Sequence, residues 1–104
     1  MALESNFQRK LIKEIETRYP GCYVLKNDPR YKKAIPDLLI LHHDHWAMLE
    51  VKKDKAAHKK SLKENPNQAY HVGKLNDMSF AAFIFPENKE DVLNELDRRF
   101  NSQG

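Results

Sequence analysis

A chain of 104 residues has room for one hydrophobic core, so a single domain spanning residues 1–104 is expected. Hydrophobic residues make up 40% and charged residues 32%, and no stretch reaches the roughly 18 consecutive apolar residues of a membrane span. The lone cysteine, Cys22, excludes an internal disulfide, and a net charge of +3 with a pI near 9.0 leans towards a polyanionic partner.

In chain order, MALESNFQRK lacks the apolar core of a signal peptide, which points to a cytoplasmic location. Leu3, Phe7, Leu11, Ile12 and Ile15 then form a helical stripe over residues 3–18, ended by Tyr19-Pro20-Gly21. Glu4 and Gln8 lie one turn apart on this helix. The same segment also reads as a capping box from Ser5 to Gln8, which would leave Glu4 just outside. Residues 22–26 read as a short strand, followed by the polar loop NDPRYKKA. Residues 38–42 and 45–52 are two further strands around the polar HHDH turn.

A lysine-rich connection leads to Asn65-Pro66, an N-cap with proline at the first helical position, and a helix to about Asn76. The apolar run SFAAFIF, residues 79–85, reads as a strand covered on both faces. Pro86 ends it, and Asn88 caps a last helix with the stripe Val92, Leu93, Leu96 and Phe100. The predicted order is αβββαβα, an α/β domain with helices flanking a mixed central sheet.

The central hairpin contains two carboxylates that a buried strand pair has no packing reason to keep. If the turn centres between His43 and Asp44, paired positions sum to 87, which sets Leu41 opposite Trp46, Leu39 opposite Met48 and Asp37 opposite Glu50. Lys52, two residues beyond Glu50, points to the same face. Two ionised carboxylates about 5 Å apart repel by roughly 3 kcal/mol at an effective dielectric of 20. A hard divalent cation such as Mg²⁺ removes that penalty. A salt-bridged triad, with Lys52 neutralising the acids, is the structural alternative, although one lysine leaves the site negative.

Lysines 52, 53, 55, 59, 60 and 63 form one basic stretch with a single acid, Asp54; Lys26, Arg30, Lys32 and Lys33 form another. Such runs are ordinarily solvated faces, but these two flank the carboxylate hairpin on both sides.

Pro36-Asp37 is followed, thirteen positions on, by Glu50-Val51-Lys52. That motif, on a hairpin that follows one helix and precedes another helix and a strand, resembles the PD-(D/E)XK nucleases. Within that superfamily the chain is most similar to the small VRR-NUC and Holliday-junction-resolvase-like enzymes, many of them phage-encoded. The resemblance spans nearly the whole chain and implies a restriction-endonuclease-like core. It implies that Asp37 and Glu50 hold Mg²⁺, with Mn²⁺ as a plausible substitute, and that the main-chain carbonyl of Val51 completes the site. It assigns Lys52 to the attacking water and the phosphate charge, Gln68 to a water or phosphate oxygen, and Glu4 to the metal, with Gln8 a weaker candidate. For the His42-His43-Asp44-His45 turn it offers no role.

Adjacent strand residues point to opposite faces, so His42 and His43 make a poor zinc pair, with no cysteine near. His58 and His71 read as solvated or phosphate-facing, and His71, one turn past Gln68, stays a weak site candidate. Cys22 reads as a small buried apolar residue and Trp46 as core. Tyr31, between Arg30 and Lys32, is placed either in a solvated turn or against DNA. With three glycines, no phosphate-binding loop exists.

The expectation is thus a Mg²⁺-dependent endonuclease acting on DNA, selective for branched structure rather than sequence. Lys53, Lys55, Lys59 and Lys60 with Arg30, Lys32 and Lys33 would hold the backbone. Cutting two strands symmetrically calls for a homodimer, acting in the host cytoplasm if phage-encoded. A non-catalytic nucleic-acid-binding module of the same fold, or a nuclease acting on RNA, are the alternatives.

Overall fold

The computed structural model describes the backbone of residues 2–101 and side chains from residue 4 onward, so Leu3 of the predicted stripe lies outside the described side chains. The elements are α1 (Ala2–Arg18), β1 (Tyr23–Lys26), β2 (Leu38–His42), β3 (His45–Val51), α2 (Lys55–Glu64), α3 (Pro66–Met78), β4 (Phe80–Ile84) and α4 (Lys89–Asn101). The four strands form one mixed sheet in the order β1-β2-β3-β4, antiparallel except for the parallel β3–β4 pair. Two parallel strands need a long crossover, and α2 with α3 supplies it.

The order αβββααβα departs from expectation by one helix. The lysine-rich connection is itself helical. Asp54 caps it, its side chain accepting from the Ala57 N–H at 2.8 Å. Alanine, lysine and leucine are good helix formers, so a segment with almost no apolar stripe still winds. The capping-box reading also gives way, because α1 begins at Ala2 and Glu4 sits in its first turn. Asn88 precedes α4, but its side chain faces backwards, accepting from the Phe85 N–H at 2.8 Å and donating to the Phe83 carbonyl at 3.0 Å.

One sheet face carries Leu38, Ile40, Ala47, Leu49, Val51 and Ile84, all buried against Leu11 and Ile15 of α1 and Leu93 and Leu96 of α4. Polar clamps tie the two helices: Arg18 to Asp97 at 2.7 Å, Lys89 to Glu14 at 2.9 Å, and the buried Tyr19 hydroxyl to Asp97. Leu96 is fully buried, so Leu96→Ala is expected to cost about 2–5 kcal/mol in urea unfolding with an unchanged m-value. Cys22 packs against this core, half-buried. Among the described residues no helix is long and apolar enough to cross a membrane.

Candidate metal centre

The β2–β3 hairpin turns tightly at His43-Asp44, with His43 in the left-handed region at φ 56°. Its register puts Leu41 opposite Trp46 and Leu39 opposite Met48, as the sum rule requires. The ladder ends at Leu38 opposite Leu49, one step short of Asp37. Asp37 therefore stands outside the strand, where a poor strand former costs nothing. Its carbonyl accepts from the Asn27 N–H at 2.8 Å, and its Oδ2 accepts from the Val51 N–H at 2.9 Å. Val51 thus enters the site through its main chain while its side chain stays in the core.

Glu50 is only 4% exposed, on the sheet face opposite the main core. Its Oε2 lies 3.4 Å from the Lys52 ammonium, while its buried Oε1 has no hydrogen-bond partner. Burial, then the Asp37 charge, push its carboxyl up to about 7, against the downward pull of Lys52. Burial also raises Asp37, partly offset by the Val51 N–H, and the Glu4 charge adds to the rise in both acids.

Lys52 is the hinge of the cluster. Its Nζ also donates to Gln68 Oε1 at 2.9 Å, so the first turn of α3 is tied to the end of β3. The structure therefore brings together Asp37, Glu50, Lys52 and Gln68. Glu4 lines an adjoining depression of about 520 Å³ with Lys52, Lys53, Lys60, Glu64 and Asn65. Its charge reaches the pair, although no group of three His, Cys, Asp or Glu side chains spaced to hold an ion forms among the described residues.

Gln8 lines a different hollow with Arg9 and Lys26, and His71 packs edge-on against Tyr70. His58, expected in solvent or facing phosphate, packs on Phe83 and Phe85 at centroid distances of 4.5 and 5.0 Å. Its Nδ1 is buried without a hydrogen-bond partner, and burial followed by the Lys52 charge lowers its pKa. No strand or motif signal marks His58, because its place depends on α2, a helix without an apolar stripe to announce it.

The basic residues divide into two groups. Lys53 and Lys60 border the depression beside the carboxylates, Lys55 and Lys59 are exposed on the same helix, and Lys33 lies beside Gln68. Arg30 is instead engaged by Asp28 through two 3.1 Å contacts, which cancels much of its charge locally. Tyr31, 92% exposed, and Lys32 flank a separate apolar hollow with Ile35 and Met48.

The donor set suits a hard divalent cation: the two carboxylates offer only oxygen, and one carboxylate oxygen is buried without a partner, while the main chain of Val51 meets the site through its N–H on Asp37. A buried, unpaired carboxylate oxygen is costly, and a cation would relieve it. Without metal, Glu50 carries a raised pKa, so its favourable contribution is full below 4.5 and is lost as pH rises through about 7. Glu50→Gln should therefore be more stable than wild type at pH 8, by on the order of 3 kcal/mol, and show little difference at pH 4. Chemical denaturation of both proteins in a chelator at the two pH values checks this. Comparing variant with wild type at each pH cancels the opposite-signed contribution of His42, whose pKa burial lowers.

Compared with known proteins, the chain matches no family model, no curated protein and no solved structure.

Proposed function

We propose that this chain is a divalent-metal-dependent endonuclease of the PD-(D/E)XK type that hydrolyses DNA phosphodiester bonds, with structure selectivity rather than sequence reading, acting as a homodimer. The observation that carries the reading is the pairing of the half-buried Asp37 with the buried Glu50, with one Glu50 oxygen unpartnered and Lys52 held between Glu50 and Gln68.

Asp37 and Glu50 would hold Mg²⁺ or Mn²⁺, which when bound supplies Lewis acidity at the phosphate and a water of lowered pKa. The chain's own contribution is positional. Asp37 is fixed by the Val51 N–H, so its second oxygen has one defined direction. Lys52 is anchored at both its contacts, which presents its charge to a phosphate oxygen or an attacking water without a search through rotamers. Lys53 and Lys60, on the wall of the depression, hold the backbone of the strand.

A bare binding module has no use for a buried carboxylate with a second one beside it, which together repel nucleic acid. The test is cleavage of four-way junction, linear and single-stranded DNA and of RNA, with Mg²⁺ and with chelator. Metal-dependent cleavage of junction DNA is expected. Binding without cleavage would favour the module, and cleavage of RNA alone would change the substrate.

A further inference from the structure

The sheet has a second face, and only half of it is covered. The α2–α3 crossover packs over β4 and only part of β3, where Trp46 and Met48 stay half-buried, while α1 and α4 lie on the opposite side. Strand alternation and register place six apolar side chains on the uncovered half in two cross-strand rows: Tyr23, Leu41 and Trp46, then Leu25, Leu39 and Met48. Tyr23 is 67%, Leu25 45% and Leu41 38% exposed. The hollow beside Met48 extends the patch to Ile35 and Tyr31. β1 is also the outer strand of the sheet, with no strand beyond it among the described residues.

From this arrangement we propose that the uncovered β1–β2–β3 face is the surface on which a second copy of this chain docks. The inference rests on the homodimer of the proposed endonuclease and supplies its interface. Three features favour a second copy. The first is size: Tyr23 and Tyr31 would each bury on the order of 150 Å². With the aliphatic residues, the patch approaches the apolar share of the about 800 Å² that each partner gives to a stable dimer.

The second is charge. Neither row contains a basic residue to meet a phosphate, and four of the six side chains are aliphatic. Lys32 lies at one end of the face and the exposed Asp44 at the other, so a two-fold pairing with antiparallel strands sets each near its opposite in the partner. The third is place. Met48 and Glu50 share a face of β3 two residues apart, so the interface adjoins the carboxylate pair. A two-fold axis through the patch gives two sites of opposite polarity, as the two strands of a duplex require.

Sedimentation equilibrium on the intact protein tests the proposal without any activity readout. Wild type should be dimeric at micromolar concentration. Leu25→Glu and Leu41→Glu, at positions already exposed, should keep the wild-type far-UV circular dichroism and a cooperative melt, and weaken dimerisation by about 30-fold or more. Leu62→Glu, at an exposed site on α2 away from the patch, should dimerise like wild type. A monomeric wild type, a dimer untouched by either sheet variant, or equal dissociation by Leu62→Glu would overturn the proposal. A dimer dispersed by the sheet variants but inactive on every nucleic acid would support the surface and refute the endonuclease.

Discussion

Asp37→Asn and Glu50→Gln are each expected to lower DNA cleavage by about 10³-fold or more while the domain stays folded. The size follows from charge. A cation held by two carboxylates loses half its anionic ligands with either change, and several kcal/mol of charge stabilisation at the phosphate goes with it. Folding survives because neither substitution removes packing volume, and the amide that Asp37→Asn introduces can keep its oxygen on the Val51 N–H. Both changes also relieve the repulsion that the metal-free site carries. Single-turnover cleavage of junction DNA, alongside thermal melts in chelator, separates the two effects. Loss of activity with a collapsed melting temperature would point to a structural triad instead.

The second large effect separates Lys52 from its lysine neighbours. Lys52 is mostly buried, paired with Glu50 and bonded to Gln68, whereas Lys60 is exposed on the wall of the depression. Lys52→Ala should reduce turnover by about 10²-fold or more with little change in DNA affinity, since its charge acts where negative charge develops. Removing it also leaves Glu50 without its one counter-charge, so the acid should hold its proton to higher pH and the pH–rate profile should shift alkaline. Lys60→Ala should do the reverse: weaker binding, a salt dependence flatter by about one unit, and nearly unchanged turnover on saturated enzyme. Matching kinetic and salt profiles for the two variants would reduce Lys52 to another phosphate contact.

The hairpin is legible in the sequence because its information is local. A polar turn between two apolar runs fixes the register, and the register carries Glu50 and Lys52 to one face. Asp37 is legible in place but not in manner, since its contact is a side chain on the Val51 N–H beyond the end of the ladder. Gln68 is expected near the site from the family resemblance, and its bond to Lys52 depends on how the crossover folds back over β3.

The second helix escapes a reading by periodicity because its stability lies in composition and a cap rather than an apolar stripe. Asp54, the lone acid among lysines, is the residue that starts it. Trp46 reads as core from its neighbours on the strand. Its face is only partly covered, because which half of a sheet a crossover shields is a tertiary fact that alternation alone does not encode.

Calorimetric titration of Mg²⁺ near pH 7 tests most directly whether Asp37 and Glu50 together hold a divalent cation. Glu50, with a pKa pushed up to about 7, must shed its proton as the cation binds, so the heat should depend on the ionisation enthalpy of the buffer. Wild type should bind with that buffer-dependent proton release, and Asp37→Asn and Glu50→Gln should show neither the binding nor the proton. Equal Mg²⁺ binding by all three proteins, or binding with no proton released, would contradict the assignment of the site.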